Sequence, residues 1–293
     1  MGFKGIYKEK SSASKIGLLF LLIIFCLMLH TISAAFLISI FFDNSILITQ
    51  NQDLTNQSSV NALKLMQLFN GLGIFVSPLL LYSYLTNYDF KFTRITRQNT
   101  MLVIAIMMFV TPFVTLLLEW NMKIPFPEWI LRLDLNSEVI VKAFLNMNTS
   151  SDFLYTLIVI AFVPAIGEEL FFRGYLQRTI CNALSSPHTA IIITSALFSL
   201  IHLDMQAFFP RFFLGLLLGY LYYWSTNLWL PILAHFVNNA QVVVFNFSPF
   251  KLQSGEFSFF YQKNVEPVIG LFSLAAVMLL LYLLYQNLSI KKD

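Results

Sequence analysis

Charge is scarce in this chain. Lys, Arg, Asp and Glu supply 11% of its 293 residues, where a soluble domain carries roughly 25%. That excludes a water-solvated globular protein. Net charge is only +3, and no basic stripe with interleaved aromatics occurs, which excludes a nucleic-acid partner. Cysteine is scarcer still. Cys26 and Cys181 lie in or beside apolar stretches, which argues against a disulfide between them and for packing as small hydrophobes. There is no internal repeat, no low-complexity tract, no soluble domain and no His-Glu-x-x-His zinc motif.

What fills the chain is apolar. Hydrophobic residues make up 57% of it, phenylalanine alone 31 residues, and mean hydropathy is +0.71. Counting apolar runs of ~20 residues gives spans at 16–42, 65–84, 101–118, 153–183, 189–203, 212–224, 228–247 and 268–285. The expected fold is all-α: a polytopic membrane bundle of about eight transmembrane helices with a membrane-buried active site. The basic start and Ser33-Ala34-Ala35 look like a secretory signal. The apolar run continues far past a ~7–15-residue signal core, however, so it reads as a retained helix. An even number of spans puts both termini on one side. Apart from Arg173, ten Lys and Arg fall on that side and seven on the other, so the positive-inside rule places both termini in the cytoplasm. Between spans three and four, residues 119–152 form the longest stretch outside the bilayer. Trp120 and Trp129 suit a membrane interface there. The apolar clusters at 129–135 and 139–145 read either as amphipathic helices lying on the bilayer or as a cover over the bundle.

Against this background the polar residues inside spans stand out. Glu168, Glu169 and Arg173 share span four; Phe198 and His202 lie on span five; His235, Asn238 and Asn239 lie on span seven. A charged side chain at a bilayer centre costs ~2.5–3.5 kcal/mol on the insertion scale, so each needs a reason. Glu169 and Arg173 are four apart and pair on a helix. Glu168 is turned roughly 140° from Arg173. It lacks a local counter-ion, which suits a general base. At ~1.5 Å per residue, Glu168, His202, His235 and Asn239 lie about 18, 22, 10 and 16 Å above the inner ends of their spans, close enough to form one site. A carboxylate, two imidazoles and an amide at similar depth suit hydrolysis. Glu168 and His202 would activate water, while His235 and Asn239 would donate to the oxyanion. Ser195 and Ser199 read as serines bonded back to their own helix. Asp204 reads as an interfacial acid more than as an orienter of His202. His30 and His188 read as packing or loop residues. Each polar residue also has a structural explanation, as an ion pair, an interfacial histidine or interhelical glue; the joint pattern favours chemistry.

Glu168-Glu169-x-x-x-Arg173, Phe198-x-x-x-His202 and His235-x-x-x-Asn239, in this order on separate spans, resemble the CPBP family of intramembrane proteases. That family includes the type II CaaX prenyl endopeptidases and bacteriocin-processing and immunity proteins. The resemblance covers about 161–239. It implies an eight-helix bundle opening towards the cytoplasm, with Glu168, His202, His235 and Asn239 catalytic and Glu169, Arg173 and Phe198 supporting. It divides the chain into helices one to three with the interfacial segment (1–150), a catalytic core (151–248) and the last helix with its tail (249–293). The expected activity is endoproteolysis of a membrane-associated, CaaX-like lipid-modified or leader peptide in a bacterial plasma membrane. Membrane lipid and that peptide are the partners, and no cofactor is needed. The alternatives are an inactive scaffold or immunity protein, a proton-relay transporter, and a Zn2+ enzyme with Glu168, His202 and His235 as ligands. An oxyanion pair is needed by neither a relay nor a scaffold.

Overall fold

The computed structural model describes residues 3–42, 54–131, 137–247 and 265–289, and among these every regular element is a helix. Eight are long: α1 (Ser12–Phe41), α2 (Gln57–Thr86), α3 (Arg97–Met122), α4 (Ser150–Leu184), α5 (Pro187–Leu200), α6 (Phe208–Ser225), α7 (Trp229–Asn246) and α8 (Pro267–Ser289). Of the described helices, α1, α2, α3, α4 and α8 are long and apolar enough to cross a bilayer. The protein is therefore a polytopic helical membrane protein. α5, α6 and α7 lie where the sequence expects further spans. With 14 residues, α5 rises only about 21 Å, short of a ~30 Å hydrocarbon core.

The helix ends follow from local chemistry. Ser11, Asn56, Thr96 and Ser186 each accept an N–H from the first turn that follows, satisfying a donor the helix itself cannot. Thr149 and Asp152 form a reciprocal capping box at the start of α4. Asn87, Ser185 and Thr226 end α2, α4 and α6 in the left-handed conformation. Prolines distort the long helices without ending them. α2 widens into a π-helical turn at Leu72–Val76 just before Pro78, and α4 does so at Leu157–Phe162 just before Pro164. α3 is interrupted at Val110, ahead of Pro112.

Two layers of packing flank α4–α7. On one side, Val103, Ile106 and Met107 of α3 join Leu217 and Leu221 of α6, Leu230 of α7 and Val277 of α8. On the other, Leu19 of α1 and Leu79 and Tyr82 of α2 join Leu170 and Tyr175 of α4. Many large apolar side chains of α1 and α8 stay exposed, such as Phe25, Phe36 and Phe272, as helices facing lipid require. One end of the bundle ties the N-terminal segment to the loop after α2. Gly5 and Tyr7 donate to the carbonyls of Tyr84 and Leu85, and Arg178 donates to that of Asp89. At this exposed end Asp89 accepts the Lys91 amide and pairs with Lys91 Nζ at 2.9 Å, which holds its carboxyl below the usual carboxylate range.

The interfacial segment resolves into a cover. A short helix at Ser137–Phe144 packs on α2 and α4 through Ile140 and Phe144, and Trp120 and Trp129 are exposed as an interface predicts. Part of the first apolar cluster, 132–136, lies outside the described residues. α2 begins eight residues before the expected apolar span, because Lys64 is buried in it. Its Nζ bonds Thr156 Oγ1 at 2.7 Å and sits 5.8 and 5.9 Å from the ring centroids of Phe144 and Tyr155. Cys26 and Cys181 are both free thiols.

α5 and α6 approach so closely that only glycine fits between them. A Cβ on Gly215 would lie 2.9 Å from Ser195 Cβ and 3.0 Å from its Cα. Replacing Gly215 by alanine should destabilise the protein by about 1–3 kcal/mol, seen as a lower thermal midpoint in lipid; an unchanged midpoint would contradict this packing.

Candidate active site

The site is built on α4. Its second π-helical stretch, Leu170–Gln177, carries Arg173 and Gln177 on the face towards α6. Arg173 Nη2 donates to the Gly215 carbonyl at 3.0 Å, and Gln177 Nε2 to the Gly219 carbonyl at 3.1 Å. Donors four apart on α4 thus meet carbonyls four apart on α6. Glycine at both positions lets the side chains reach the backbone: a Cβ on Gly219 would lie 3.2 Å from Gln177 Oε1.

The charged pair expected within the motif is formed. Arg173 Nη1 bonds Glu169 Oε1 at 2.7 Å, with the two side chains 1% and 0% exposed. The same Oε1 also accepts from His235 Nδ1 at 2.8 Å. Glu169 is therefore more than the counter-ion of Arg173, because it also binds the histidine of the third motif. Since Nδ1 carries the hydrogen, His235 turns Nε2 the other way, towards Glu168. That contact, Nε2 to Glu168 Oε2, measures 3.9 Å, beyond hydrogen-bond reach. Glu168 is 14% exposed, and its Oε2 has no hydrogen-bond partner among the described residues. Adjacent carboxylates thus occupy opposite surroundings, Glu169 fixed in the core and Glu168 at the cavity.

His202 sits at the turn closing α5. Its Nδ1 bonds the Phe198 carbonyl at 2.8 Å. A carbonyl only accepts, so Nδ1 carries the hydrogen and neutral His202 offers Nε2 as an acceptor. Phe198 lies edge-on to both imidazoles, with centroids 5.2 Å from His202 and 5.9 Å from His235, and beneath the Arg173 guanidinium at 4.8 Å. The aromatic residue of the second motif is a spacer touching the other two. On α7, Asn239 Nδ2 donates to the Ile160 carbonyl at 3.1 Å and its Oδ1 accepts from Asn238. Ile160 lies in the first π-helical stretch of α4. One Asn239 N–H is committed, and the amide has a second.

Glu168, Phe198, His202, His235, Asn238 and Asn239 line one cavity of about 130 Å3, together with Met107, Leu214 and Leu218. Arg211 also lines it. Counting apolar residues started span six at 212, one residue too late to include it. Other polar residues turn out to be structural. Ser195 bonds back to Ile191, but Ser199 reaches across the turn to the Phe208 carbonyl. Asp204 pairs with Arg211 at 2.9 Å and caps the 205–207 turn. His30 bonds the Cys26 carbonyl and Ser77, joining α1 to α2, and His188 bonds Tyr220. Among the described residues no three His, Cys, Asp or Glu side chains converge closely enough to ligate one ion. Glu168, His202 and His235 are chemically suitable ligands, but this arrangement does not bring them together as a metal set.

Residues 150–241 match the family model described as type II CAAX prenyl endopeptidase Rce1-like. This segment belongs to the CPBP/CAAX protease family. No curated protein and no solved structure matches the chain. The CPBP segment runs from the start of α4 into α7 and holds every motif residue, together with Arg211 and both glycines of the α4–α6 contact. α1–α3 and α8, which pack around it, lie outside the match.

The two carboxylates should respond differently to substitution. Glu169→Ala leaves Arg173 buried without its partner and should cost about 3–5 kcal/mol, lowering thermal stability or the yield of folded protein. Glu168→Gln removes no protein hydrogen bond and should leave the thermal midpoint nearly unchanged. Equal losses would contradict the division of environments.

Proposed function

We propose that this protein is an intramembrane endopeptidase of the CAAX type, acting on a lipid-modified or otherwise membrane-associated peptide. The observation that carries this reading is Glu168: a carboxylate inside a membrane bundle, without a hydrogen bond among the described residues, lining the same cavity as His202 and His235. An ion pair made for stability would resemble Glu169 and Arg173. Glu168 resembles a reagent.

In the proposed reaction Glu168 accepts a proton from water, which His202 Nε2 helps to orient. The water oxygen bonds to the scissile carbonyl carbon, and the carbonyl electron pair moves to oxygen. The remaining N–H of Asn239 is available to that oxyanion. His235 can donate from Nε2 only as an imidazolium, since the Nδ1 hydrogen is committed to Glu169. The carbonyl then re-forms and the C–N bond breaks. Glu168 passes its proton to the departing amine. This chemistry needs no metal and no nucleophilic side chain. All eight long helices cross the membrane in this reading, with both termini cytoplasmic in a bacterial plasma membrane. A CaaX-like or leader peptide is the substrate class.

Membranes carrying the wild-type protein should release a peptide fragment that Glu168→Gln does not, with kcat down by about 10²–10⁴-fold. Asn239→Ala should cost roughly 10²–10³-fold, and a chelator should leave the rate unchanged. Full activity in Glu168→Gln would sink the assignment. A fully active enzyme that loses all turnover to chelator and regains it with Zn2+ would replace the water activation described above by a zinc reaction. A protein that binds the peptide but never cuts it would be the scaffold alternative.

A further inference from the structure

The two ends of the bundle differ in charge. The stretches that join α1 to α2, α3 to α4 and α7 to α8 (43–56, 119–152 and 247–266) hold nine Asp and Glu against five Lys and Arg. At the other end, 3–15 and 87–97 hold seven Lys and Arg against two acids, Glu9 and Asp89. These two basic stretches form one surface. Gly5 and Tyr7 donate to the carbonyls of Tyr84 and Leu85 at 2.9 and 2.8 Å, where α2 runs into the 87–97 loop. A Cβ on Gly5 would lie 3.8 Å from Asn87 Cβ. The loop is fixed in turn by the α6–α7 connection: Leu228 donates to the Lys91 carbonyl at 3.1 Å, and Thr93 and Asn227 exchange two hydrogen bonds at 3.3 and 2.9 Å. Both acids are already engaged, Glu9 by Lys8 at 3.7 Å and Asp89 by Lys91 at 2.9 Å. Lys4, Lys10, Lys15, Arg94 and Arg97 have no ion pair among the described residues, and all but Lys15 are exposed.

Unpaired cations on a tied backbone suit an anion, and their neighbours say which kind. Phe3 and Ile6 alternate with Lys4 and Lys8 and are 69% and 57% exposed. Phe92, two residues before Arg94, packs on Trp229 with ring centroids 4.9 Å apart, and both rings are exposed. Cations interleaved with exposed apolar and aromatic side chains match a headgroup layer, where the apolar groups enter the acyl boundary and Lys and Arg meet phosphate. The stretches flank the starts of α1 and α3 and the end of α2, all helices long and apolar enough to cross a bilayer. Lipid therefore reaches this surface before any soluble acidic protein does. We propose that 3–15 and 87–97 form a binding surface for anionic glycerophospholipid, with the phosphodiester held by Lys4, Lys10, Arg94 and Arg97. The surface is separate from the cavity and does not depend on the peptidase reading.

The test places the full-length protein in phosphatidylcholine vesicles with equal traces of two photoactivatable lipids, a phosphatidylglycerol and a phosphatidylcholine carrying the same diazirine acyl chain. Cross-linked peptides are mapped by mass spectrometry. One Lys or Arg near the membrane surface contributes roughly a fivefold preference for anionic lipid. Labelling of 3–15 and 87–97 should therefore favour phosphatidylglycerol by about 5–30-fold at low salt, and by less than about twofold in about 1 M NaCl, which screens charges beyond ~3 Å. Changing Lys4→Gln, Lys10→Gln, Arg94→Gln and Arg97→Gln together should lower the low-salt preference to less than about twofold. The thermal midpoint in pure phosphatidylcholine should stay unchanged, because none of these four side chains is in an ion pair among the described residues. If the fourfold variant does not fold, Arg94→Gln with Arg97→Gln should by itself lower the preference at least about threefold. Equal labelling by the two lipids, a preference that survives the substitutions or the salt, or an equally strong preference at 119–131 would overturn the proposal. Loss of the preference on adding hexaglutamate equimolar with the phosphatidylglycerol would assign the surface to an acidic protein segment and overturn it too. Glycerol phosphate at that concentration should leave the preference intact; if it abolishes it, the surface takes free phosphate and not lipid.

Discussion

One oxygen atom, Oε1 of Glu169, organises the centre of this protein. It accepts from Arg173 on its own helix and from His235 on α7, at 2.7 and 2.8 Å, with essentially no exposure to solvent. A carboxylate taken so far from water persists only if its charge is answered and its lone pairs are used. Oε1 meets both conditions through residues that reach elsewhere, while Oε2 is buried without a hydrogen-bond partner among the described residues. Arg173 continues to the α6 backbone at Gly215 and lies over Phe198 of α5. His235 carries the contact to α7. α4, α5, α6 and α7 are therefore held in register around one buried charge, and changing any of these side chains alters the position of the rest.

That arrangement gives the second glutamate its character. Glu168 and Glu169 are neighbours in sequence and so point about 100° apart on a helix. The core takes up one, and the other faces the cavity without a bond. Local charge compensation is used up by Glu169, because Arg173 is spent on it and His235 is turned so that only its far nitrogen approaches Glu168. An unbonded carboxylate beside a bonded one is a direct result of helical geometry, with the arginine four residues after the second placed to pair with that one alone.

Much of this was legible in the residues. Spacing of four paired Glu169 with Arg173 and left Glu168 apart, and helical rise put four polar groups at similar depth. What spacing on one helix could not reveal was any partner on another. That Glu169 binds His235, that Phe198 separates two imidazoles rather than supporting one, and that Asn239 bonds the Ile160 carbonyl, which Pro164 four residues on cannot, are all tertiary facts. Two cations were hidden for a simpler reason. Counting apolar runs stops at a charge, so Lys64 and Arg211 fell just outside spans two and six by construction. In the folded protein both lie inside helices. Lys64 is buried between two aromatic rings and a threonine, and Arg211 lines the cavity. Charges just outside an apolar window in a membrane protein are thus worth testing as internal residues.

The shortness of α5 bears on how water reaches such a site. A helix of 14 residues rises only about 21 Å, less than a ~30 Å hydrocarbon core, and the turn that follows carries both His202 and Asp204. Backbone at that depth needs its polar groups satisfied by protein. Asn121 of α3 does much of this, donating to the Met205 carbonyl at 2.7 Å and accepting from the Phe209 amide at 2.8 Å, while Ser199 donates to Phe208. The turn is therefore held in place rather than left to move. Ending α5 early and securing its turn places His202 and Asp204 on irregular backbone beside Arg211 in the first turn of α6. A full-length helix would have carried the chain past this depth with its polar backbone groups bonded within the helix. The truncation that makes α5 fall short as a membrane span is what gives the cavity its polar wall.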